Sequence, residues 1–116
     1  MVYVDGKHDV WSCLDDLRWS RFLEDDDVVL VHDAFSSLGV TLAVLRDTLT
    51  GNRHRYLGRT GSLARFAVGT PSAADRARVL RELPWFTRNL VVKVLLRLRA
   101  RPLARLLGHT GTADPY

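Results

Sequence analysis

Two short apolar runs mark the first third of the chain, and an acid lies at the end of each. Residues 2–4 precede Asp5, and residues 28–32 precede Asp33. Continuous runs of this kind, rich in β-branched residues, are typical of strands that are covered on both faces. Between the runs, apolar residues recur at helical spacing. The pattern therefore predicts two parallel strands joined by a helix in a right-handed crossover.

The next section predicts a second helix and a pair of strands. Leucines recur at spacings of three and four from Leu38 to Leu49, and Gly51 follows as a helix stop signal. Residues 56–57 and 63–68 are predicted to be short strands, because a glycine-containing turn separates them. The fold class expected for this part of the chain is doubly wound α/β.

Two more helices are predicted after the strands. Ser72 and Asp75 have the spacing of a capping box and begin a helix that extends to about Leu83. A basic and very apolar helix follows, from Pro84 to about Arg101. The predicted divisions are an α/β unit at residues 1–69, a helical extension at 70–107 and a loose tail at 108–116.

Charge divides the chain into an acidic and a basic half. Residues 1–50 hold ten acids and four bases, whereas residues 51–116 hold three acids and thirteen bases. This asymmetry favours an anionic partner for the basic half. The single Cys13 excludes an internal disulfide framework and is expected in the core. Since no secretory signal pattern and no long apolar run occurs, we expect a cytoplasmic protein.

The two strand ends are the best candidates for chemistry. In an open parallel sheet, ligands bind beyond the carboxyl ends of the strands. Asp5 and Asp33 are expected to lie together there, with His8 nearby in the following loop. Two carboxylates can hold a divalent cation, and an imidazole can move a proton. The alternatives are that each acid caps the helix after it and that His8 is an ordinary loop histidine.

Other titratable residues are predicted to have structural roles. His32 precedes Asp33, so strand alternation predicts that it points away from the site and serves in packing or as a supporting residue. The acids at 25–27 are expected in a solvated turn, and His54 is expected to have no partner. The sequence contains no zinc-ligand spacing, nucleophile elbow or phosphate-binding glycine loop.

The strand-end segments V-Y-V-D-G-K-H and V-V-L-V-H-D-A-F resemble the second half of a class I S-adenosylmethionine-dependent methyltransferase. They are most similar to the metal-dependent small-molecule O-methyltransferases, including the catechol and macrolide-sugar types. The resemblance covers about residues 2–68. It implies the C-terminal half of a Rossmann-like doubly wound sheet, followed by a basic helical tail. The implied strand order is first, second, fourth, third, with helices on both faces.

The resemblance also implies roles for three residues. Asp5 and Asp33 would be ligands of a divalent cation such as Mg²⁺, and His8 would be the general base. S-adenosylmethionine would supply the methyl group, and the acceptor would be a small molecule or sugar hydroxyl. Many relatives have a second acid or an asparagine after the later aspartate, where this chain has Ala34.

The chain lacks the glycine-rich turn that holds the cofactor in this family. We therefore expect a C-terminal fragment that is inactive and binds S-adenosylmethionine poorly without an N-terminal half. The first strand would then expose an apolar edge, and such edges promote self-association.

The alternative function is a non-catalytic binding module. Residues 85–105 are basic and apolar, with cations at spacings of four at Lys93, Arg97, Arg101 and Arg105. This composition is typical of a helix that lies on an anionic membrane surface, and it also suits docking on a protein partner. A peripheral membrane location would follow. Nucleic acid is not an expected partner, because no basic motif with interleaved aromatic residues occurs.

Overall fold

The computed structural model describes residues 1–97, which form one mixed sheet with helices packed on it. The strands are β1 (Val2–Val4), β2 (Val28–Val31), β3 (His54–Thr60) and β4 (Leu63–Val68). The helices are α1 (Val10–Leu17), α2 (Leu38–Thr50), α3 (Ala73–Leu80) and α4 (Leu83–Arg97), with a 3-10 turn at Arg18–Phe22 after α1. The predicted loose tail and the end of the last predicted helix lie outside the described residues.

The order of the strands in the sheet is β1-β2-β4-β3, as predicted. β1 and β2 are parallel, with Val4 beside Val31. β4 is antiparallel to β2 on one side and to β3 on the other. The β3–β4 hairpin turns at Gly61, whose φ of 59° is in the left-handed region that glycine adopts without a steric penalty. The mixed α/β class and the strand order are therefore confirmed.

The core lies between one face of the sheet and three of the helices. Alternate residues of the strands point into it, as the two-residue period of a strand requires. The fully buried members from the strands are Val29, Val31, Tyr56, Ala64, Phe66 and Val68, and those from α1, α2 and α3 are Cys13, Leu17, Val40, Ala43, Val44 and Val79. The prediction that Cys13 is a core residue is confirmed, and burial raises the pKa of its thiol to about 11.

The other face of the sheet is open in the described part of the chain. Tyr3 is 53% exposed and Leu57 is 37% exposed. A depression of about 440 Å³ lies on this face between Leu30, Leu57 and Arg65. The prediction of helices on both faces is therefore not met within residues 1–97, where the buried apolar residues of α1, α2 and α3 join the core on the opposite side.

A cluster of polar side chains anchors the start of α4 to β3. The hydroxyl of Tyr56 donates to Glu82 Oε1 at 2.8 Å, and Arg59 Nε donates to Glu82 Oε2 at 2.6 Å. The Arg59 guanidinium also lies 3.7 Å from the centre of the Trp85 ring, a cation–π distance. Burial, followed by the hydrogen bond to Glu82, raises the pKa of the Tyr56 phenol. These contacts determine where α4 leaves the sheet.

Three element boundaries differ from the predictions. β3 has seven residues where a strand of two was predicted, because the antiparallel ladder with β4 continues through polar positions that show no apolar alternation. The 3-10 turn after α1 was not predicted. α3 ends at Leu80 rather than near Leu83, although its capping box between Ser72 and Asp75 is confirmed.

Replacing Gly39 by alanine tests the packing of α2 against the loop after β1. A Cβ at this position would overlap the carbonyl oxygen of His8 and lie 2.9 Å from the Cα of Asp9. Glycine-to-alanine changes in helices ordinarily stabilise by about 1 kcal/mol. Because backbone must move here, we expect a loss of about 1–3 kcal/mol in the free energy of unfolding, measured by urea denaturation.

Leu42→Ala is the control for this prediction, since Leu42 lies on the same helix and is 47% exposed. It should change the stability by about 0.5 kcal/mol. A stabilised Gly39→Ala variant would show that the loop is not held against α2.

Candidate active site

Four titratable side chains meet at the carboxyl ends of β1 and β2. His8 Nε2 lies 3.2 Å from Asp33 Oδ2. His32 Nδ1 lies 3.3 Å from Asp5 Oδ1 and 3.7 Å from Asp33 Oδ2. The three residues predicted for the site are thus brought into one cluster, in which the ring of His32 lies between the two carboxylates.

The position of His32 differs from the prediction that it points away from the site. The parallel register pairs Val4 with Val31, and the His32 amide donates to the Val4 carbonyl at 2.9 Å. Asp5 is therefore the neighbour of His32, and both side chains lie on the same face. Alternation along a single strand places His32 opposite Asp33, but it does not reveal that Asp5 shares the face of His32.

A turn with unusual backbone conformation positions Asp33. Asp33 has a φ of 55° and Phe35 a φ of 62°, which is rare for a bulky residue. Phe35 is fully buried, with its ring edge-on to Tyr56 at 5.8 Å between ring centres. Burial of this ring stabilises the strained turn. The Ser36 hydroxyl donates to Asp33 Oδ1 at 3.0 Å, which leaves Oδ2 directed toward His8.

Neither acid of the site caps a helix. The N-cap of α1 is Asp9, whose Oδ1 accepts a hydrogen bond from the Ser12 amide at 2.9 Å. The backbone hydrogen bond from Ser12 lowers the pKa of Asp9. The N-cap of α2 is Ser37. The capping alternative for Asp5 and Asp33 is therefore wrong, and both carboxylates point into the cluster.

The side chains of the cluster differ in how far they are exposed to solvent. The Asp33 side chain is 14% exposed, whereas those of His8 and Asp5 are 52% and 45% exposed. Tyr3 lies beside them, and its partial desolvation, followed by the negative charge of Asp5, raises the pKa of its phenol. A bound molecule can therefore reach the imidazole of His8, while the more deeply buried carboxylate of Asp33 orients that ring.

The donor atoms are suited to a hard cation. Carboxylate oxygens are the ligands that Mg²⁺ prefers, and the ion usually keeps several waters beside one or two carboxylates. His32 Nδ1 is buried and makes no hydrogen bond of good geometry, although Asp5 lies within 3.3 Å. Within residues 1–97, no three His, Cys, Asp or Glu side chains are already arranged around one ion position. Ala34 is fully buried and supplies no donor.

A cavity of about 330 Å³ adjoins the cluster and is closed on one side by α4. His8, Asp33 and Ser36 line its inner wall, and Lys93 and Arg97 of α4 line the other. Lys93 Nζ donates to the Ser36 carbonyl at 2.6 Å. The basic helix is therefore held directly against the strained turn that carries Asp33.

A second cluster lies at the opposite end of the sheet and involves His54. Its Nδ1 lies 2.5 Å from Asp47 Oδ2, and its Nε2 lies 2.8 Å from Ser20 Oγ. The prediction that His54 has no partner is therefore wrong. The sequence spacing of these three residues gave no signal, because the 3-10 turn, α2 and β3 each contribute one of them.

Ser20, His54 and Asp47 are the residue types of a hydrolase triad, but their burial indicates a structural role. Ser20 is 1% exposed and His54 is 3% exposed, so the hydroxyl is almost fully covered even though these residues adjoin a cavity of about 350 Å³. Arg53 Nη2 also donates to the Ser20 carbonyl at 2.8 Å. The cluster connects the 3-10 turn to α2 and β3.

Comparison with protein-family models, with curated proteins and with solved structures found no match to this chain. No helix within residues 1–97 is long and apolar enough to cross a membrane. The chemistry of the strand-end cluster is therefore inferred from its own geometry.

Replacing His54 by alanine tests the structural role of the second cluster. The change leaves Asp47 and Ser20 without their partner, and each unsatisfied group costs about 1–3 kcal/mol. We expect a loss of about 2–4 kcal/mol in the free energy of unfolding by urea, and a smaller loss in His54→Gln, which keeps one hydrogen bond. His8→Ala is the control, since its half-exposed ring should contribute about 0.5 kcal/mol. Equal losses in the two alanine variants would contradict the assignment.

Proposed function

We propose that this chain forms the C-terminal part of a class I S-adenosylmethionine-dependent methyltransferase that methylates a small-molecule or sugar hydroxyl with the help of a divalent cation. The observation that carries the proposal is a combination of topology and site. The antiparallel β4 lies between β2 and β3, in the order that the family resemblance predicts. The same sheet gathers Asp5, His8 and Asp33 at the ends of its two parallel strands.

His8 has the geometry of a general base in this proposal. Its Nε2 contacts Asp33 Oδ2, so the carboxylate fixes the ring and stabilises the imidazolium that forms when a hydroxyl proton is taken up. The side chain is 52% exposed, so an acceptor hydroxyl can reach it. Once His8 has taken its proton, the acceptor oxygen could receive a methyl group, which S-adenosylmethionine would supply as its methyl–sulfur bond breaks and the neutral thioether leaves.

Asp5 and Asp33 would hold the divalent cation, and Mg²⁺ suits their oxygen donors. When bound, the cation lowers the pKa of the acceptor hydroxyl by acting as a Lewis acid. Asp33 has two roles in this arrangement, since one of its oxygens accepts from Ser36 and the other contacts His8. Because Asp33 contacts His8 and would also hold the cation, the proposed base and one proposed metal ligand lie side by side.

The methyl donor would be bound outside the residues described above, because the chain has no glycine-rich turn. The remainder of the sheet would pair with the free edge of β1, and its helices would cover the open face that carries Tyr3 and Leu57. The side chains of Tyr3 and Leu57 are large, mostly apolar and more than one third exposed. This exposure supports contact with such a segment or with a second copy of the chain.

A binding module remains the second candidate function, and α4 supports it. Leu90, Val91 and Val94 are 40%, 41% and 49% exposed beside the cations of the helix. Such a surface suits an anionic membrane or a protein partner. Sedimentation with vesicles that contain anionic lipid tests this function, and loss of binding in Arg97→Gln would support it.

The cation site can be tested on the isolated chain without an activity assay. Mn²⁺ occupies sites of the Mg²⁺ type and broadens nearby NMR signals. We expect substoichiometric Mn²⁺ to broaden the amide signals of His8, His32 and Asp33. The broadening should be weaker in Asp5→Asn and absent when Asp33→Asn is added.

Asp25→Asn with Asp26→Asn is the matched control, because these acids lie in an exposed turn at the other end of β2. This variant loses the same charge and should keep the broadening. Equal broadening in wild type and in the Asp5/Asp33 variant would exclude the proposed ligands.

The activity can be tested by joining the missing half of the sheet in front of Val2, taken from a metal-dependent class I O-methyltransferase. The chimera should transfer radiolabelled methyl groups to a catechol or sugar hydroxyl in the presence of Mg²⁺. Asp5→Ala and Asp33→Ala should abolish transfer, and His8→Ala should slow it about 10²–10⁴-fold. Transfer that is indifferent to EDTA would contradict the metal role. Micromolar binding of S-adenosylmethionine to the 116-residue chain alone, measured by calorimetry, would contradict the fragment assignment.

A further inference from the structure

The cavity between the strand-end cluster and α4 has an excess of positive charge. Its lining contains one acid, Asp33, and two permanent cations, Lys93 and Arg97. The two cations are four residues apart and so share one side of the helix. No acid occurs between residues 83 and 97. Among the lining residues that the structure describes, cations therefore outnumber acids by one.

The same cavity has apolar walls. Leu38 at the start of α2 is 55% exposed, and Leu90 and Val94 of α4 are 40% and 49% exposed. Leu38 belongs to α2 and the other two residues to α4, so the apolar surface of the cavity comes from two helices. A ligand with an apolar body therefore removes exposed apolar surface of both helices when it binds.

The polar groups of the cavity are separated along it. His8 and Asp33 lie at its sheet end, whereas Arg97 is in the last turn of α4. Lys93 is one helical turn before Arg97, and its contact with the Ser36 carbonyl holds it beside the strand ends. A molecule that reaches from His8 to Arg97 would present a hydroxyl at one end and an anionic group at the other.

We propose that this cavity binds an acceptor that combines a hydroxyl group, an apolar body and an anionic phosphate or carboxylate, with the anionic group held by Lys93 and Arg97. The inference rests on the proposed function, because it assigns the acceptor of that reaction. Arg97 recognises an oxyanion through paired N–H donors, and Lys93 acts as a point charge. The specificity for an anion comes from α4 rather than from the strand ends.

Binding to the full 116-residue chain tests the proposal without donor, metal or turnover. The probes are octyl phosphate below its micelle concentration, octyl glucoside as the neutral match, and inorganic phosphate as the anion without an apolar body. The readout is the shift of amide NMR signals at constant salt. Octyl phosphate should bind about ten times more tightly than either other probe and shift the signals of Ser36, Ser37 and Val94.

Arg97→Gln should weaken octyl phosphate binding about tenfold and leave octyl glucoside unchanged. Lys93→Arg keeps the charge and should retain binding, so a loss in Lys93→Gln alone would identify the charge as the cause. Arg81→Gln is the control, since Arg81 is exposed, does not line the cavity and carries the same charge. An equal loss in Arg81→Gln would indicate general charge attraction and overturn the proposal.

Two other results would also overturn it. One is equal binding of octyl phosphate and inorganic phosphate. The other is a shift of the α4 signals by vesicles of phosphatidylglycerol in phosphatidylcholine but not by monomeric octyl phosphate, which would identify a membrane surface instead. Because no step of methyl transfer is measured, failure of the methyltransferase proposal would leave this binding result unaffected. Absence of octyl phosphate binding would overturn the anionic-acceptor proposal as well, without bearing on the methylation of neutral acceptors.

Discussion

The strand-end cluster exists because β1 pairs with β2 in parallel and in a single register. This pairing places Val4 beside Val31, so the next residues of the two strands, Asp5 and His32, become neighbours. Because side chains alternate in a strand, a shift of one residue would move Asp5 to the other face and separate it from the cluster. The register is determined by burial, since Val29 and Val31 must both enter the core.

The core also determines the geometry of the turn after β2. Phe35 occupies a left-handed backbone conformation, and its fully buried ring packs against Tyr56. The turn can therefore hold Asp33 against His8 instead of relaxing into an ordinary helix cap. On the other side, Gly39 allows α2 to approach the backbone of His8 and Asp9 closely. The packing of the core therefore also positions the loop that carries His8, the proposed base.

The acidic and basic halves of the chain meet at this site. The acids of the cluster come from the first 50 residues, whereas the cations of the adjoining cavity come from α4. Tyr56, Glu82 and Arg59 connect β3 to the start of that helix and so direct it across the strand ends. The charge asymmetry of the sequence becomes, in the fold, a cavity lined by the Asp33 carboxylate from the first half and by cations from the second.

Local patterns in the chain predict the elements whose burial is periodic and the acids that end the parallel strands. β1, α1, α2 and β4 and the capping box at Ser72 follow from local patterns, because each depends on neighbours within a few residues. Long-range packing brings His32 into the cluster, gives His54 its buried partners and places α4 against the cavity. Each of these contacts joins segments far apart in the chain. They depend on register, strain and helix direction, which the packing of the whole core determines and no local pattern records.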